Sequence, residues 1–162
     1  MKIEKAILAA GCFWGVQFYF DQVPGVTKTT VGYTGGHTKN PTYEEVCTHT
    51  TGHAEAVLIE FDPEQISYQT LLRQFFRMHN PTQLNRQGPD VGDSYRTAIF
   101  YFDDEQKRVA VVAKTAAQSN FDEPIVTEIT PAGPFYEAED YHQKYAERTG
   151  RGMCHVPYAP IE

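Results

Sequence analysis

The chain has 162 residues, a hydrophobic fraction of 41% and a formal net charge of −7 at pH 7. This length allows one domain with a sizeable core, and no linker-like segment divides it, so we expect a single domain over residues 1–162. The negative charge argues against a nucleic-acid partner, because phosphate binding needs a basic surface.

The cysteine content and the apolar runs bear on the cellular compartment. Three cysteines do not form a disulfide framework, which favours a reducing compartment and functional thiols. The apolar run Ala6–Ala10 is shorter than a signal-peptide core and far shorter than a membrane span. We therefore expect a cytoplasmic protein without a membrane partner. We also expect a monomer, although nothing in the sequence reports the oligomeric state.

The first predicted elements are a strand at Ala6–Ala10 and a helix that begins after Cys12. Apolar residues at helical spacing indicate this helix: Phe13, Val16, Phe20 and Val23. At a helix start, unpaired N–H groups and the helix dipole favour a thiolate. Cys12 is therefore a candidate nucleophile, although a free cysteine beside Phe13 and Trp14 can also be a small core residue.

The next elements place a tyrosine and a carboxylate. A strand at Val26–Tyr33 precedes a capping-box sequence that begins a short helix at Thr42 and puts Tyr43 in its first turn. In the strand Ala54–Phe61, alternate residues form an apolar face: Val57, Ile59 and Phe61. Glu55 continues this face at its end, so we expect its carboxyl group on the buried side.

The second half of the chain alternates helices and strands around one long loop. In order, we predict a helix capped by Ser67, a loop at Asn80–Ser94, a strand at Thr97–Phe102, a helix at Asp104–Ser119, a strand at Ile125–Ile129, a helix at Ala138–Glu147 and an irregular tail over about 149–162. The helix at Asp104–Ser119 is expected to turn four residues inward: Val109, Val112, Ala113 and Ala116.

This order predicts an α+β fold, a two-layer sandwich with a mixed β-sheet and a split β-α-β (ferredoxin-like) order. A doubly wound parallel sheet fits less well. The connection between the second and third predicted strands is short for a parallel crossover.

Seven motifs lie within the stretch from about Ala9 to His155, and together they are specific. They are Gly11-Cys12-Phe13-Trp14-Gly15, Gly32-Tyr33-Thr34-Gly35-Gly36, Pro41-Thr42-Tyr43-Glu44-Glu45-Val46-Cys47, Gly52-His53-Ala54-Glu55, His79-Asn80-Pro81-Thr82-Gln83, Tyr95-Arg96-Thr97 and Ala138-Glu139-Asp140-Tyr141-His142-Gln143. In this order they resemble the class A peptide methionine sulfoxide reductases.

The resemblance implies four catalytic residues. Cys12 matches the family nucleophile, and Glu55 matches the acid that protonates the sulfoxide oxygen. Tyr43 and Tyr95 match hydroxyl donors to the same oxygen. Sulfoxide sulfur is a poor electrophile until its oxygen is hydrogen-bonded or protonated, so a thiolate needs an acid opposite it. Glu55 must be neutral for this role, and burial among aromatic rings would raise its pKa by roughly two units.

The resemblance also implies the substrate and the reductant. The family reduces the S epimer of methionine sulfoxide, free or within proteins, in a repair of oxidised proteins, and thioredoxin usually restores the enzyme. Phe13 and Trp14 match the aromatic residues that hold the substrate's S-methyl group. Asp90 falls where the family has an acidic residue that helps to anchor the substrate backbone. We expect no cofactor.

A second thiol is needed to condense with the sulfenic acid that would form on Cys12. We expect this resolving thiol to be Cys154, because its glycine-containing setting allows movement. Cys47 follows a predicted helix and is expected to be inert core, but it stays open as the alternative. The prediction is a single-disulfide cycle between Cys12 and Cys154.

Two other functions fit parts of the sequence. A cysteine hydrolase would pair Cys12 with a histidine, but it gives no reason for two aromatic residues beside the nucleophile. A metal-binding module is the non-enzymatic alternative, and its ligands would be His49, His53, Cys154 or His155. Their spacing does not match a zinc site, so we expect no metal. His53 and His142 are expected to be structural hydrogen-bonding residues.

Overall fold

The computed structural model of the chain describes residues 2–149. The strands are β1 (Glu4–Ala10), β2 (Val26–Thr34), β3 (Ala54–Phe61), β4 (Arg86–Gln87), β5 (Asp90–Val91), β6 (Thr97–Tyr101), β7 (Glu128–Pro131) and β8 (Phe135–Glu137). The helices are α1 (Phe13–Asp21), α2 (Tyr43–Cys47), α3 (Tyr68–Arg77), α4 (Asp104–Ala117) and α5 (Tyr145–Thr149). The predicted resolving residue Cys154 lies outside the described residues.

Six strands form one mixed sheet in the order β7-β6-β1-β3-β2-β8, and β4 pairs with β5 in a separate hairpin. β3 lies between β1 and β2 and is antiparallel to both, β6 is antiparallel to β1, and β7 is parallel to β6. The predicted α+β class with a mixed sheet is therefore confirmed. The ferredoxin-like split order is not confirmed, because the outer strands β7 and β8 extend the sheet to six strands.

The two faces of the sheet carry different side chains, because residues alternate along each strand. One face packs against α1, α3 and α4 and forms the main core. The other face carries small or apolar residues: Ile7, Ala9, Ala54, Ala56, Ala98 and Phe100. The three residues predicted to form the core face of β3 are fully buried, and Glu55 on the same face is 1% exposed.

The inward face of α4 differs from the prediction. Val112 is 49% exposed, and Ala116 is also exposed. The buried residues of α4 are Gln106, Ala110 and Ala117. Gln106 accepts a hydrogen bond from the Phe102 N–H and donates one to the Lys5 carbonyl oxygen. A polar side chain therefore fixes the helix rotation, which a pattern of apolar residues does not reveal.

The continuous helix predicted at Ala138–Glu147 is wrong. The segment contains a 3-10 turn at Asp140–His142, and α5 begins only at Tyr145. The Gln143 side chain bonds both the N–H and the carbonyl oxygen of Val31, and Lys144 has a positive φ of 59°. These long-range bonds replace helical ones.

Two further predictions need adjustment. The strand predicted at Ile125–Ile129 occurs three residues later as β7, because the Val126 N–H bonds to the Pro81 carbonyl oxygen before the strand begins. The loop predicted at Asn80–Ser94 contains the hairpin β4-β5. None of the helices within residues 2–149 has the length and apolarity that crossing a bilayer requires.

Candidate active site

The candidate site lies where β1 ends and α1 begins. Gly11 has a φ of +96°, a conformation that favours glycine, and it turns the chain so that Cys12 becomes the N-cap residue of α1. The Cys12 side chain is partly exposed. Ala10 pairs with Thr97 at the start of β6, which brings the preceding Tyr95 to the same end of the sheet.

Glu55 is adjacent to the helix start. The backbone N–H of Phe13, the residue after Cys12, donates a hydrogen bond of 3.2 Å to Glu55 Oε1. Burial raises the pKa of Glu55 to about 8, the Phe13 N–H opposes this rise, and the charge of Asp90 adds to it. A group with this pKa is about 90% protonated at pH 7. The site therefore holds a neutral carboxyl group beside the candidate nucleophile.

Tyr43 and Tyr95 present protonated hydroxyl groups to the same region. Burial is the main reason that the pKa of each phenol lies above its ordinary value. The charge of Glu55 raises both pKa values, and Cys12 adds to the rise for Tyr95. The structure thus brings together the four residues that the sequence predicts to be catalytic. The hydroxyl groups of Tyr43 and Tyr95 can donate hydrogen bonds there.

Trp14 and Phe13 form an aromatic wall beside this group. Phe13 is fully buried and its ring centroid lies 5.7 Å from that of Tyr33. The half-buried Trp14 stacks on Tyr145 with ring centroids 3.9 Å apart, and on Tyr43 at 6.4 Å. This wall is apolar, which suits a thioether or methyl group.

Two residues of the seventh motif, Glu139 and His142, support the site, although the sequence predicts a catalytic role for neither. His142 Nδ1 accepts a 2.9 Å hydrogen bond from Trp14 Nε1. Glu139 accepts one from the Tyr33 hydroxyl at 2.9 Å and one from the Tyr43 N–H at 3.0 Å. Burial opposes ionisation of Glu139, but these hydrogen bonds lower its pKa overall. Both residues lie in the motif Ala138–Gln143, and this is the feature of the sequence that could have indicated their role in the site.

The sequence predicts that Cys47 is an inert core residue, and the structure differs from this prediction. It is partly exposed at the end of α2, and it shares a hydrogen bond with the Tyr43 side chain. Burial raises the pKa of the Cys47 thiol, and the Tyr43 hydrogen bond only partly offsets this rise. Cys47 is therefore a weak nucleophile close to the candidate site.

Two histidines considered as metal ligands, His49 and His53, have other partners, and His155 lies outside the described residues. His53 Nδ1 accepts a hydrogen bond from the Gly36 N–H, and its Nε2 donates to the Thr38 carbonyl oxygen. His49 Nδ1 lies 3.5 Å from Asp93 Oδ1. Within residues 2–149, no group of three or more His, Cys, Asp or Glu side chains is arranged to hold a metal ion.

Comparisons with known proteins give the family. The family model described as "Peptide methionine sulfoxide reductase" matches residues 4–162. A Pasteurella multocida protein named "Peptide methionine sulfoxide reductase MsrA" is 58% identical over 158 residues, which cover 97% of this chain and 91% of that protein.

Solved structures agree with this match. Mxr1 from Saccharomyces cerevisiae in reduced form has a TM-score of 0.89 at 32% identity and covers 97% of this chain and 91% of its own. Mxr1 in complex with Trx2 has a TM-score of 0.65 at 24% identity, covering 90% and 86% respectively. The chain therefore belongs to the peptide methionine sulfoxide reductase family and is an enzyme that reduces methionine sulfoxide.

Proposed function

We propose that this enzyme reduces the S epimer of methionine sulfoxide, free or within oxidised proteins, through attack of Cys12 on the sulfoxide sulfur. The hydrogen bond from the Phe13 N–H to Glu55 carries this proposal, because it puts a neutral acid next to the nucleophile. The Cys12 thiolate forms a bond to the sulfoxide sulfur while Glu55 protonates the sulfoxide oxygen. The hydroxyl group then moves to Cys12 Sγ, and the new sulfur–sulfur bond breaks with its electron pair returning to the methionine sulfur. Methionine leaves, Cys12 becomes a sulfenic acid, and Glu55 becomes a carboxylate.

The two oxygens of Glu55 have different tasks in this step. Oε1 accepts the Phe13 N–H, so the other oxygen can carry the proton that the sulfoxide receives. Tyr43 and Tyr95 donate hydrogen bonds to the sulfoxide oxygen, which makes the sulfur more electrophilic. Their raised pKa values keep both hydroxyl groups in the donor form.

The aromatic wall orients the substrate. We assign the S-methyl group to Phe13 and Trp14, and the substrate backbone to Asp90, whose carboxylate lies close enough to affect the pKa of Glu55. A pyramidal sulfur presents its two epimers differently only when three positions are fixed, and the methyl group at the wall, the oxygen at the tyrosines and the substrate backbone at Asp90 fix three. That constraint supports selection of a single epimer.

For regeneration, we propose that the Cys12 sulfenic acid condenses with the Cys154 thiol to give a disulfide and water. Cys47 is less suited to this step, because burial raises its pKa and the attacking species is a thiolate. A thioredoxin then reduces the disulfide, a partner supported by the solved complex of Mxr1 with Trx2. A cytoplasmic location and a monomeric state remain part of this proposal.

Peptide mapping by mass spectrometry tests this function. After the reduced enzyme reacts with one equivalent of methionine S-sulfoxide, we expect a disulfide between Cys12 and Cys154 and an unmodified Cys47. The Cys12→Ser variant should form no methionine in this reaction, and none when excess dithiothreitol is present, because it lacks the thiolate that attacks the substrate.

The control is methionine R-sulfoxide, which should leave all three thiols reduced. Turnover by a correctly folded Cys12→Ser variant would exclude Cys12 as the nucleophile. A disulfide between Cys12 and Cys47 would exclude Cys154 as the resolving residue.

A further inference from the structure

We propose that His142 is a positioning residue that anchors the indole edge of Trp14 and thereby sets the wall against which the substrate's methyl group packs. This inference rests on the substrate-binding role proposed for Trp14. It concerns a residue that contacts Trp14 rather than the reacting atoms.

The contacts of His142 converge on the aromatic wall. The imidazole is fully buried, and its Nδ1 accepts the 2.9 Å hydrogen bond from Trp14 Nε1. Its ring centroid lies 5.3 Å from that of Phe13 and 4.4 Å from that of Tyr43. One side chain therefore touches both residues assigned to the methyl group and one donor to the oxygen.

His142 is itself held by the chain around it. The next residue, Gln143, bonds to the backbone of Val31 through its side-chain amide. The Lys144 N–H bonds to Gln17 Oε1 in α1, and Lys144 Nζ forms an ion pair with Asp21 at 2.7 Å. Because the neighbouring residues fix the position of the His142 imidazole, it can hold the Trp14 indole in one orientation. Supporting residues preorganise a site in this way.

The hydrogen bond requires a neutral imidazole. Nδ1 accepts the indole N–H, so the proton of the neutral ring is on Nε2, which has no partner among residues 2–149. Burial lowers the pKa of His142, and the charges of Glu139 and Glu44 partly oppose this effect. The other titratable groups that face the ring are the phenols of Tyr43 and Tyr141. Acid removes the acceptor by protonating Nδ1.

The chain offers a direct probe, because Trp14 is its only tryptophan. We compare His142→Leu, which removes the acceptor, with His142→Asn, whose amide oxygen can occupy the position of Nδ1 and whose size matches leucine. Single-turnover reduction of methionine S-sulfoxide by the reduced enzyme gives the half-saturating substrate concentration and the limiting rate separately.

His142→Leu should raise the half-saturating concentration by roughly threefold to tenfold, the range expected for one hydrogen bond, and change the limiting rate less. Its tryptophan emission should move to longer wavelength as water reaches the freed indole edge. His142→Asn should recover most of both properties. The exposed His37 provides a matched control, and His37→Leu should change neither.

A pH titration of the emission adds a test that does not depend on activity. The wild-type emission should change in a step below pH 6.5, the ordinary pKa of histidine, and both variants at position 142 should lack this step. Wild-type kinetics and emission in His142→Leu, or equal defects in His142→Leu and His142→Asn, would overturn the proposal.

A double variant separates this proposal from the role assigned to Trp14. In a Trp14→Phe background, His142→Leu should add no further change in half-saturating concentration, because the donor is already gone. A full additive effect would show that His142 acts by another route. Unchanged substrate binding in Trp14→Phe alone would refute the substrate role of Trp14, whereas the emission data would still report on the anchor.

Discussion

At the scale of single residues, Glu55 combines a stability cost with a chemical role. It occupies the last inward position of an apolar strand face and is 1% exposed. Burial raises its pKa to about 8, well above the ordinary value of 4.5. The folded protein must therefore keep a proton on Glu55 that the unfolded chain releases near pH 4.5.

This proton makes the effect of Glu55→Gln on stability depend on pH. As pH rises from about 5 to about 8, the wild-type protein loses stability, because the unfolded state ionises freely and the folded state does not. The amide of glutamine has no proton that is released in this pH range. We expect Glu55→Gln to gain roughly 3–4 kcal/mol more unfolding free energy relative to wild type at pH 8 than at pH 5, measured by denaturant titration.

Glu60→Gln, at a partly exposed position of the same strand, is the control for replacing a carboxyl group of β3 by an amide. An equal effect of Glu55→Gln at pH 5 and pH 8 would show that the buried carboxyl group titrates normally.

Part of this site can be predicted from the sequence. The alternation along β3 correctly predicted that Glu55 is buried, because one face of a strand repeats every second residue. It did not predict that Cys47 contacts Tyr43, since a five-residue helix gives too short a pattern to show which side faces the site. The sequence predicts that His142 is a structural hydrogen-bonding residue, but it does not reveal the partner Trp14, which lies 128 residues away in sequence.

At the scale of elements, the short helix α2 depends on its N-terminal contacts to present Tyr43. Thr42 and Glu45 form the predicted capping box, and Glu139 also accepts the Tyr43 N–H. A helix of five residues has few internal hydrogen bonds of its own. Its position is therefore fixed by these side chains.

Loss of the cap should reduce both stability and catalysis. We expect Thr42→Ala to lower the unfolding free energy by about 1 kcal/mol. It should also slow single-turnover reduction by about tenfold, because the Tyr43 hydroxyl is displaced from the sulfoxide oxygen. Denaturant titration and rapid-quench kinetics measure the two effects.

Ser67→Ala is the matched control, because Ser67 caps α3 by accepting the Thr70 N–H at 3.0 Å, and its side-chain hydrogen bonds within residues 2–149 are to Thr70. It should cost similar stability and leave the rate unchanged. Equal rates for the Thr42→Ala and Ser67→Ala variants would show that α2 does not position Tyr43.

Elements with strong local patterns were predicted well, whereas the segment after β8 was not. The caps at Thr42 and Ser67 are short-range signals, and the structure contains both. The segment Ala138–Glu147 has a helical pattern, but Gln143 and Lys144 bond to β2 and α1 instead. Tertiary hydrogen bonds therefore override a local preference at this point.

At the scale of the whole molecule, the order of strands assembles the site. Cys12 follows β1, Glu55 lies at the start of β3, and Tyr95 precedes β6. β1 is hydrogen-bonded to both β3 and β6, so residues far apart in sequence meet at one end of the sheet. Connection lengths in the sequence favoured a mixed sheet, but the edge strand β8 has only three residues and gave no recognisable pattern.

The most direct test of the account is the pH dependence of the single-turnover rate at saturating methionine S-sulfoxide, without added reductant. If neutral Glu55 donates the proton, the wild-type rate should fall about tenfold per pH unit above about pH 8, as the carboxyl group ionises. Glu55→Gln should be slow and lack this alkaline decline. A wild-type rate that stays constant through about pH 9.5, or a Glu55→Gln variant with the wild-type rate and profile, would contradict the central claim.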